Sequence, residues 1–171
     1  MAVERMDVLI FSDSHGHGSR MQEALDRQIS RPNAVFFAGD GLRDVDAVDF
    51  GSVDLYAVQG NCDWFSATAV RTELVTALGG HTILLTHGHM YGVKGGYGAL
   101  LSHAAKVGAD IVLFGHTHLP YLETIPQGSE IGGVILTRPL YLFNPGSIGM
   151  DGSFGTLVLR GENVLFSHGQ L

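Results

Sequence analysis

The feature that most constrains this chain is a unit that recurs five times: a short run rich in Val, Ile, Leu and Phe that stops abruptly at Gly, Ser or Thr beside Asp, Asn or His. The units are Val8 to His15 (VLIFSDSH), Val35 to Asp40 (VFFAGD), Leu55 to Asp63 (LYAVQGNCD), Ile83 to His89 (ILLTHGH) and Ile111 to His118 (IVLFGHTH). A continuous apolar run of this length has no polar face to offer water. It therefore predicts a strand buried on both faces, and its polar end predicts a loop at one edge of a sheet.

Two intervening segments carry a helical period. Ser19 to Ile29 opens on a Ser-x-x-Gln pattern, Ser19 and Gln22, that predicts a capping box, and it sets Met21, Leu25 and Ile29 on one stripe. Ala99 to Val107 repeats this with Leu100, Ala104 and Val107, and Gly108 is placed to end it. Arg71 to Ala77, Tyr121 to Ile125, Leu140 to Asn144, Phe154 to Arg160 and Asn163 to Ser167 read as strands between Gly-rich turns, and Gln127 to Gly133 reads as an exposed hairpin tip. A β-rich core of two packed sheets covered by helices follows.

With 171 residues, 45% of them apolar, the chain is long enough for one good core and short for two, so a single domain over 1–171 is expected. No apolar stretch reaches the ~18 residues of a membrane span, and Met1 to Met6 lacks the layout of a signal peptide. A cytoplasmic protein is expected, in agreement with the single cysteine, Cys62. A formal charge of −7 excludes a broad basic surface, so no stable nucleic-acid binding is expected. Two divalent cations would offset more than half of that charge where an anionic substrate must sit, so the acidity leaves phosphate substrates open.

The polar ends of the five units are made of metal-ligand types. Carboxylate and imidazole together suit manganese, iron, cobalt, nickel or zinc better than magnesium. Taken singly, each has a plain alternative: Asp13 or Asp40 capping a turn, Asn61 in a left-handed turn after Gly60, any histidine hydrogen-bonded at the surface. Taken together they are hard to explain that way, because buried parallel strands bring such ends to a common edge.

The ordered set Asp13-x-His15, Gly39-Asp40, Gly60-Asn61-Cys62-Asp63, Thr86-His87-Gly88-His89, Gly115-His116-Thr117-His118 and Asn144-Pro145-Gly146-Ser147 resembles the calcineurin-like metallophosphoesterases, and most closely their small YfcE-type phosphodiesterase branch. The resemblance runs from about Asp7 to Arg160 and implies an α/β fold, a four-layer sandwich of two packed mixed sheets flanked by helices. It also implies two divalent ions, manganese first among the choices. Asp13, His15, Asp40 and His118 would hold one ion, and Asp40, Asn61, His87 and His116 the other. Asp40 would bridge, with Asp40, Asn61 and His87 closest to the chemistry. Water activated between the ions would attack a small phosphate ester in line, with no protein nucleophile.

Two departures stand out. Cys62 replaces the histidine that many relatives offer the leaving group, and Arg43 falls where many have a second aspartate, either as a phosphate contact or as an exposed residue opening a helix. His89 is either a substrate or supporting contact or a plain loop residue. His17, His81, His103 and His168 match no ligand position and read as structural, and Asn144 to Ser147 reads as a supporting turn. The other functions kept open are a phosphomonoesterase or nucleotide phosphatase of the same fold, and a protein-interaction scaffold like the retromer subunit that resembles this family. The oligomeric state is not legible.

Overall fold

The computed structural model describes residues 2–64 and 71–171, which leaves Met1 of the leader reading outside. The apolar runs form strands of two five-stranded mixed sheets. In the first, β1 (Arg5–Phe11), β2 (Ala34–Phe37) and β3 (Asp54–Ala57) lie parallel, and β11 (Ser153–Arg160) and β12 (Asn163–Gln170) extend it antiparallel beyond β1. In the second, β5 (His81–Thr86), β6 (Ile111–Leu113) and β10 (Leu140–Pro145) lie parallel, flanked by antiparallel β4 (Glu73–Leu78) and β7 (Pro120–Ile125).

The side-chain period of two explains why the runs are apolar without interruption. Val8, Ile10, Phe36, Ile83, Leu85, Ile111, Leu113 and Phe143 meet between the sheets. Their alternates in the first sheet, Leu9, Phe11, Val35 and Phe37, pack outward against Met21, Ala24 and Leu25 of α1 (Gly18–Asp26), Leu42 and Val45 of α2 (Leu42–Asp46) and Ile148 of α4 (Ile148–Asp151). On the far side, Leu84, Val112 and Leu142 pack against Leu100, Ala104 and Ala105 of α3 (Gly98–Lys106). The result is four layers, helix–sheet–sheet–helix, in agreement with the fold implied by the resemblance. Each fully buried Leu, Ile or Phe contributes about 1.5–3 kcal/mol.

Register sets the functional edge. Phe11, Phe37 and Ala57 are cross-strand partners, so the parallel strands of the first sheet end level; Leu85, Leu113 and Phe143 do the same in the second. The loops that follow all leave from the same edge.

Several local expectations need correction. Helix α1 starts at Gly18 with His17 as its N-cap residue and no side-chain cap, so the Ser19 and Gln22 box does not form. Gln22 instead donates to Asp26 Oδ1 at 3.0 Å and accepts from the Asp49 N–H at 3.0 Å. The helix ends at Asp26, which leaves Ile29 fully exposed instead of continuing the stripe of Met21 and Leu25. The Leu55 unit is not buried on both faces: β3 is an edge strand and Leu55 is 41% exposed. Gln127 to Gly133 is more than a tip, since it holds β8 (Glu130–Ile131) paired with β9 (Val134–Ile135). Gly108 does follow α3 in a left-handed conformation, φ 74°, as expected.

Candidate metal centre

At the functional edge the chain adopts conformations that side chains resist. Among the described residues, the non-glycine positions with positive φ are Asp13 (55°), His15 (43°), Asp40 (63°), His116 (69°) and His118 (61°). All five belong to the expected ligand set. Asp and His enter this region more readily than most residues, yet each such placement costs about 1–3 kcal/mol and persists only where the surroundings enforce it. Asn61 is not left-handed, so the chain turns after Gly60, with the Asp63 N–H on Gly60 O at 3.3 Å, without the left-handed residue suggested there.

The surroundings that enforce it are hydrogen bonds. Asp63 receives four backbone N–H groups: Oδ2 accepts from Asp40 at 2.8 Å and Gly60 at 2.9 Å, and Oδ1 from Gly41 at 2.8 Å and Leu42 at 3.0 Å. One carboxylate thereby ties the loop after β2 to the loop after β3. Asp44 does the same for the loop after β1, accepting from Ser14 Oγ at 2.5 Å and Gly16 N–H at 2.8 Å. In the Asn144 turn, Asn144 Nδ2 donates to Gly115 O at 2.9 Å and Thr117 Oγ1 at 3.0 Å, and Ser147 Oγ donates to Asp13 O at 2.8 Å. Two glycines permit the close approach: a Cβ on Gly60 would sit 2.1 Å from Asp40 Oδ1, and one on Gly115 would sit 1.9 Å from Ser12 Oγ.

The expected residues converge in two groups. Asp13, His15 and His118 form one: His118 Nε2 lies 3.2 Å and His15 Nε2 3.5 Å from Asp13 Oδ1, and the two Nε2 atoms are 3.2 Å apart. Asp40, His87 and His116 form the other: His87 Nε2 is 3.2 Å from Asp40 Oδ2 and 3.2 Å from His116 Nδ1. Asp40 lies between them, with Oδ2 3.9 Å from His15 Nε2. Asn61 Oδ1 is buried without a hydrogen-bond partner, and so is Asp13 Oδ1, whose sister oxygen accepts from Ser12 Oγ and from the His116 N–H at 3.0 Å.

These residues fit divalent cations. Buried lone pairs without a donor are costly, and ring nitrogens packed 3.2 Å apart among carboxylates are arranged as ligands to a shared cation are. His87 is oriented for this role: with Nδ1–H on Ala38 O at 2.7 Å, neutral His87 presents a lone pair at Nε2.

Burial opposes ionisation of Asp40, yet its hydrogen bond with His87, the charge of His87 and the Cys62 N–H outweigh it and hold the carboxyl far below its usual range. Burial likewise works against a charged His87, and Asp40 and Asp13 overcome it and raise its pKa. A cation and that proton compete for one nitrogen. Burial, then the charge of His87, pushes His116 down to about 4, which keeps it a neutral donor of lone pairs.

Cys62 lies close enough to His15 and Asp40 to form a third ligand-type group, which the sequence did not suggest. Desolvation and the Asp40 charge raise its pKa, which favours the thiol over the thiolate that metals and electrophiles require. Arg43 is the second residue of α2, exposed, and lines a recess of about 270 Å3 with His15, Asp40, Asp44 and Cys62. His89 opens a 3-10 turn, its ring 5.4 Å from that of His87 and 6.1 Å from that of His116, with a buried Nδ1 lacking a partner. The other histidines have protein partners: His17 Nδ1 with Ser14 O, His81 with Asp110, His103 with Glu73, and His168 Nε2 with Asn144 O. The sequence reading missed Asp63 and Asp44, although Asp63 stands in the quoted Gly-Asn-Cys-Asp run. A carboxylate two or three residues past a glycine-rich strand end is the signal that was available.

Comparison with known proteins agrees with this geometry. The family model for the calcineurin-like phosphoesterase superfamily domain matches residues 6–160. A probable metallophosphoesterase, YsnB, of Bacillus subtilis is 34% identical over 144 residues, 84% of this chain and 75% of that protein. Phosphodiesterase YfcE of Escherichia coli is 33% identical over 114 residues, 59% of this chain and 50% of that protein. Among solved structures, a predicted phosphoesterase from Streptococcus pneumoniae has TM-score 0.76 at 27% identity, covering 99% of this chain and 91% of its own. Vps29 of Entamoeba histolytica, solved in complex with zinc, has TM-score 0.69 at 23% identity, covering 96% of this chain and 98% of its own, a likeness of fold. No helix among the described residues is long and apolar enough to cross a membrane. By the match of its family model over most of its length, this chain belongs to the calcineurin-like phosphoesterase superfamily.

Proposed function

We propose that this chain is a cytoplasmic, single-domain hydrolase of small phosphate esters that works with two divalent ions. Asp13, His15, Asp40 and His118 hold one, Asp40, Asn61, His87 and His116 the other, and Asp40 is shared. The observation that carries this reading is the coincidence at one edge of left-handed ligand backbones, paired ring nitrogens at 3.2 Å, and the unpartnered Oδ1 atoms of Asp13 and Asn61. Bound divalent ions would supply the Lewis acidity that activates water near neutral pH and neutralises charge on phosphoryl oxygens.

The protein's own contribution is to hold the ligands before substrate arrives. Asp63, Asp44, Asn144 and Ser147 fix the loops, and the Ala38 carbonyl fixes the His87 tautomer. Arg43 contacts substrate oxygens from its recess. Cys62 is neither nucleophile nor strong acid, so the leaving group departs largely unaided and aryl esters are cleaved faster than alkyl esters. A diester is preferred to a monoester because the E. coli relative is a phosphodiesterase by name. Manganese is the first choice for a mixed histidine and carboxylate set. A scaffold role would not need all seven of these side chains.

The test is metal analysis coupled to hydrolysis of bis(p-nitrophenyl) phosphate. The expected result is close to two ions per chain, activity abolished by a chelator and activity restored by manganese. Full activity in metal-free protein overturns the reading.

A further inference from the structure

A second recess opens beside the candidate centre, and its walls differ from those of the Arg43 recess. It measures about 260 Å3 and is lined by Gln59, Gly60, Asn61, Trp64, Thr72 and His89. Trp64 is 78% exposed, a large apolar ring that the core does not use. It directly follows Asp63, the carboxylate that anchors the loop through four backbone N–H groups, so the indole is presented from a fixed base. His89 also lines the recess, its ring 5.4 Å from that of His87 and 6.1 Å from that of His116. Asn61 joins the recess to the centre, because it lines the one and is a proposed ligand, with a buried unpartnered Oδ1, in the other. Among the described residues, no side chain that is charged at neutral pH lines it, whereas the other recess carries Arg43, Asp40, Asp44 and Asp63.

We propose that this recess seats an aromatic arm of the phosphate ester, stacked on the Trp64 indole, so that the substrates of this chain are esters bearing a planar aromatic group. The inference rests on the hydrolytic reading above and goes beyond it by naming the substrate class. The volume holds one ring-sized group rather than a large ligand, since whole ligand pockets run from about 300 Å3 upward. Flat rings of either an aryl group or a nucleobase gain by stacking on an indole, on the order of tenfold or more in affinity. Asp40 lines the charged recess and Asn61 the Trp64 recess, so an aromatic arm on the Trp64 side leaves the charged recess for polar parts of the substrate.

Trp64 is the sole tryptophan of the chain, so its fluorescence reports the recess directly. In the manganese-loaded full chain, phenylphosphonate and the phosphonate analogue of adenosine monophosphate are titrated beside methylphosphonate, by indole fluorescence and as inhibitors of bis(p-nitrophenyl) phosphate hydrolysis. At least one aromatic phosphonate should change the emission saturably and bind about tenfold tighter than methylphosphonate; which of the two does so identifies the source of the ring. Trp64→Ala should reduce that preference to within about twofold, and Trp64→Phe should keep part of it. An aromatic preference that survives Trp64→Ala, or emission that responds equally to methylphosphonate, overturns the assignment. If the wild type hydrolyses no ester yet shows the Trp64-dependent preference, the hydrolytic reading fails and the recess stands. Binding of none of the three phosphonates overturns the assignment of the recess, and the hydrolytic reading falls with it only if no ester is hydrolysed.

Discussion

Two clusters of histidine and carboxylate sit at opposite ends of β5, and they differ in what their lone pairs find. At its N-terminal end the buried His81 places Nδ1 2.6 Å from Asp110 Oδ2 and Nε2 2.8 Å from the Gly161 carbonyl. The other Asp110 oxygen accepts from the Thr82 N–H at 2.7 Å, and Arg138 closes the group against Gly80 O at 2.9 Å, Asp110 at 3.3 Å and Glu162 at 3.1 Å. No buried side-chain atom of that cluster is without a partner. At the C-terminal end, Asp13 Oδ1 and Asn61 Oδ1 have no hydrogen-bond partner, and the backbones of five of the seven expected ligands are left-handed. The same residue types make a strut at one end and a receptive site at the other. Residue type proposes a ligand; an unpaired lone pair in an enforced geometry distinguishes it from a tie.

The sharpest way to break this contrast is Asp40→Asn, which keeps the shape, tolerates φ 63° and removes one charge. Turnover should fall on the order of a thousandfold, the scale expected for losing a preorganised stabilising group. The melting temperature should hold or rise, because the charge sits there for function rather than stability. A melting temperature that collapsed with activity would make the functional edge structural after all.

The converse change is His81→Ala. Removing one member of a buried, hydrogen-bonded ionisable pair should cost about 3 kcal/mol of stability, read by denaturant unfolding. Turnover of the folded enzyme should stay within about twofold, and a thousandfold loss there would erase the distinction between the ends.

Asp63→Ala tests the link between tie and site, since Asp63 is outside the proposed ligand set yet holds the loops that carry Asp40 and Asn61. Metal affinity should weaken about 10–100-fold, the usual range for residues that orient ligands. Unchanged affinity would show that the loops need no such anchor. The smallest effect is expected for Cys62→Ser, less than about threefold in kcat, because the thiol is held protonated beside Asp40. A dead variant with normal metal content would give the sulfur a direct role.

Much of the molecule is legible in its sequence. Runs such as Val35 to Phe37 and Ile111 to Leu113 are apolar on both faces, which only a doubly covered strand accommodates, and all their side chains are buried. The misjudged positions share a cause. Leu55 looks like its counterparts in β1 and β2, yet its strand ends at a sheet edge, and edge or centre is a matter of neighbours far away in sequence. Ile29 has the right spacing for the α1 stripe, but the helix ends one turn earlier. Asp63 and Asp44 resemble any loop aspartate until the loops they join are brought together.

The sequence by itself determined which residue types stand at the strand ends, the burial of the central strands and the family, because apolar period and ligand chemistry are written locally. Only the tertiary structure decided that the parallel strands end level, that His15 meets His118 and His87 meets His116 at 3.2 Å, and that His81 is satisfied where Asn61 is not. Those facts depend on pairing register and on which donors reach which lone pairs. Such relations exist between distant segments and become definite when the two sheets pack.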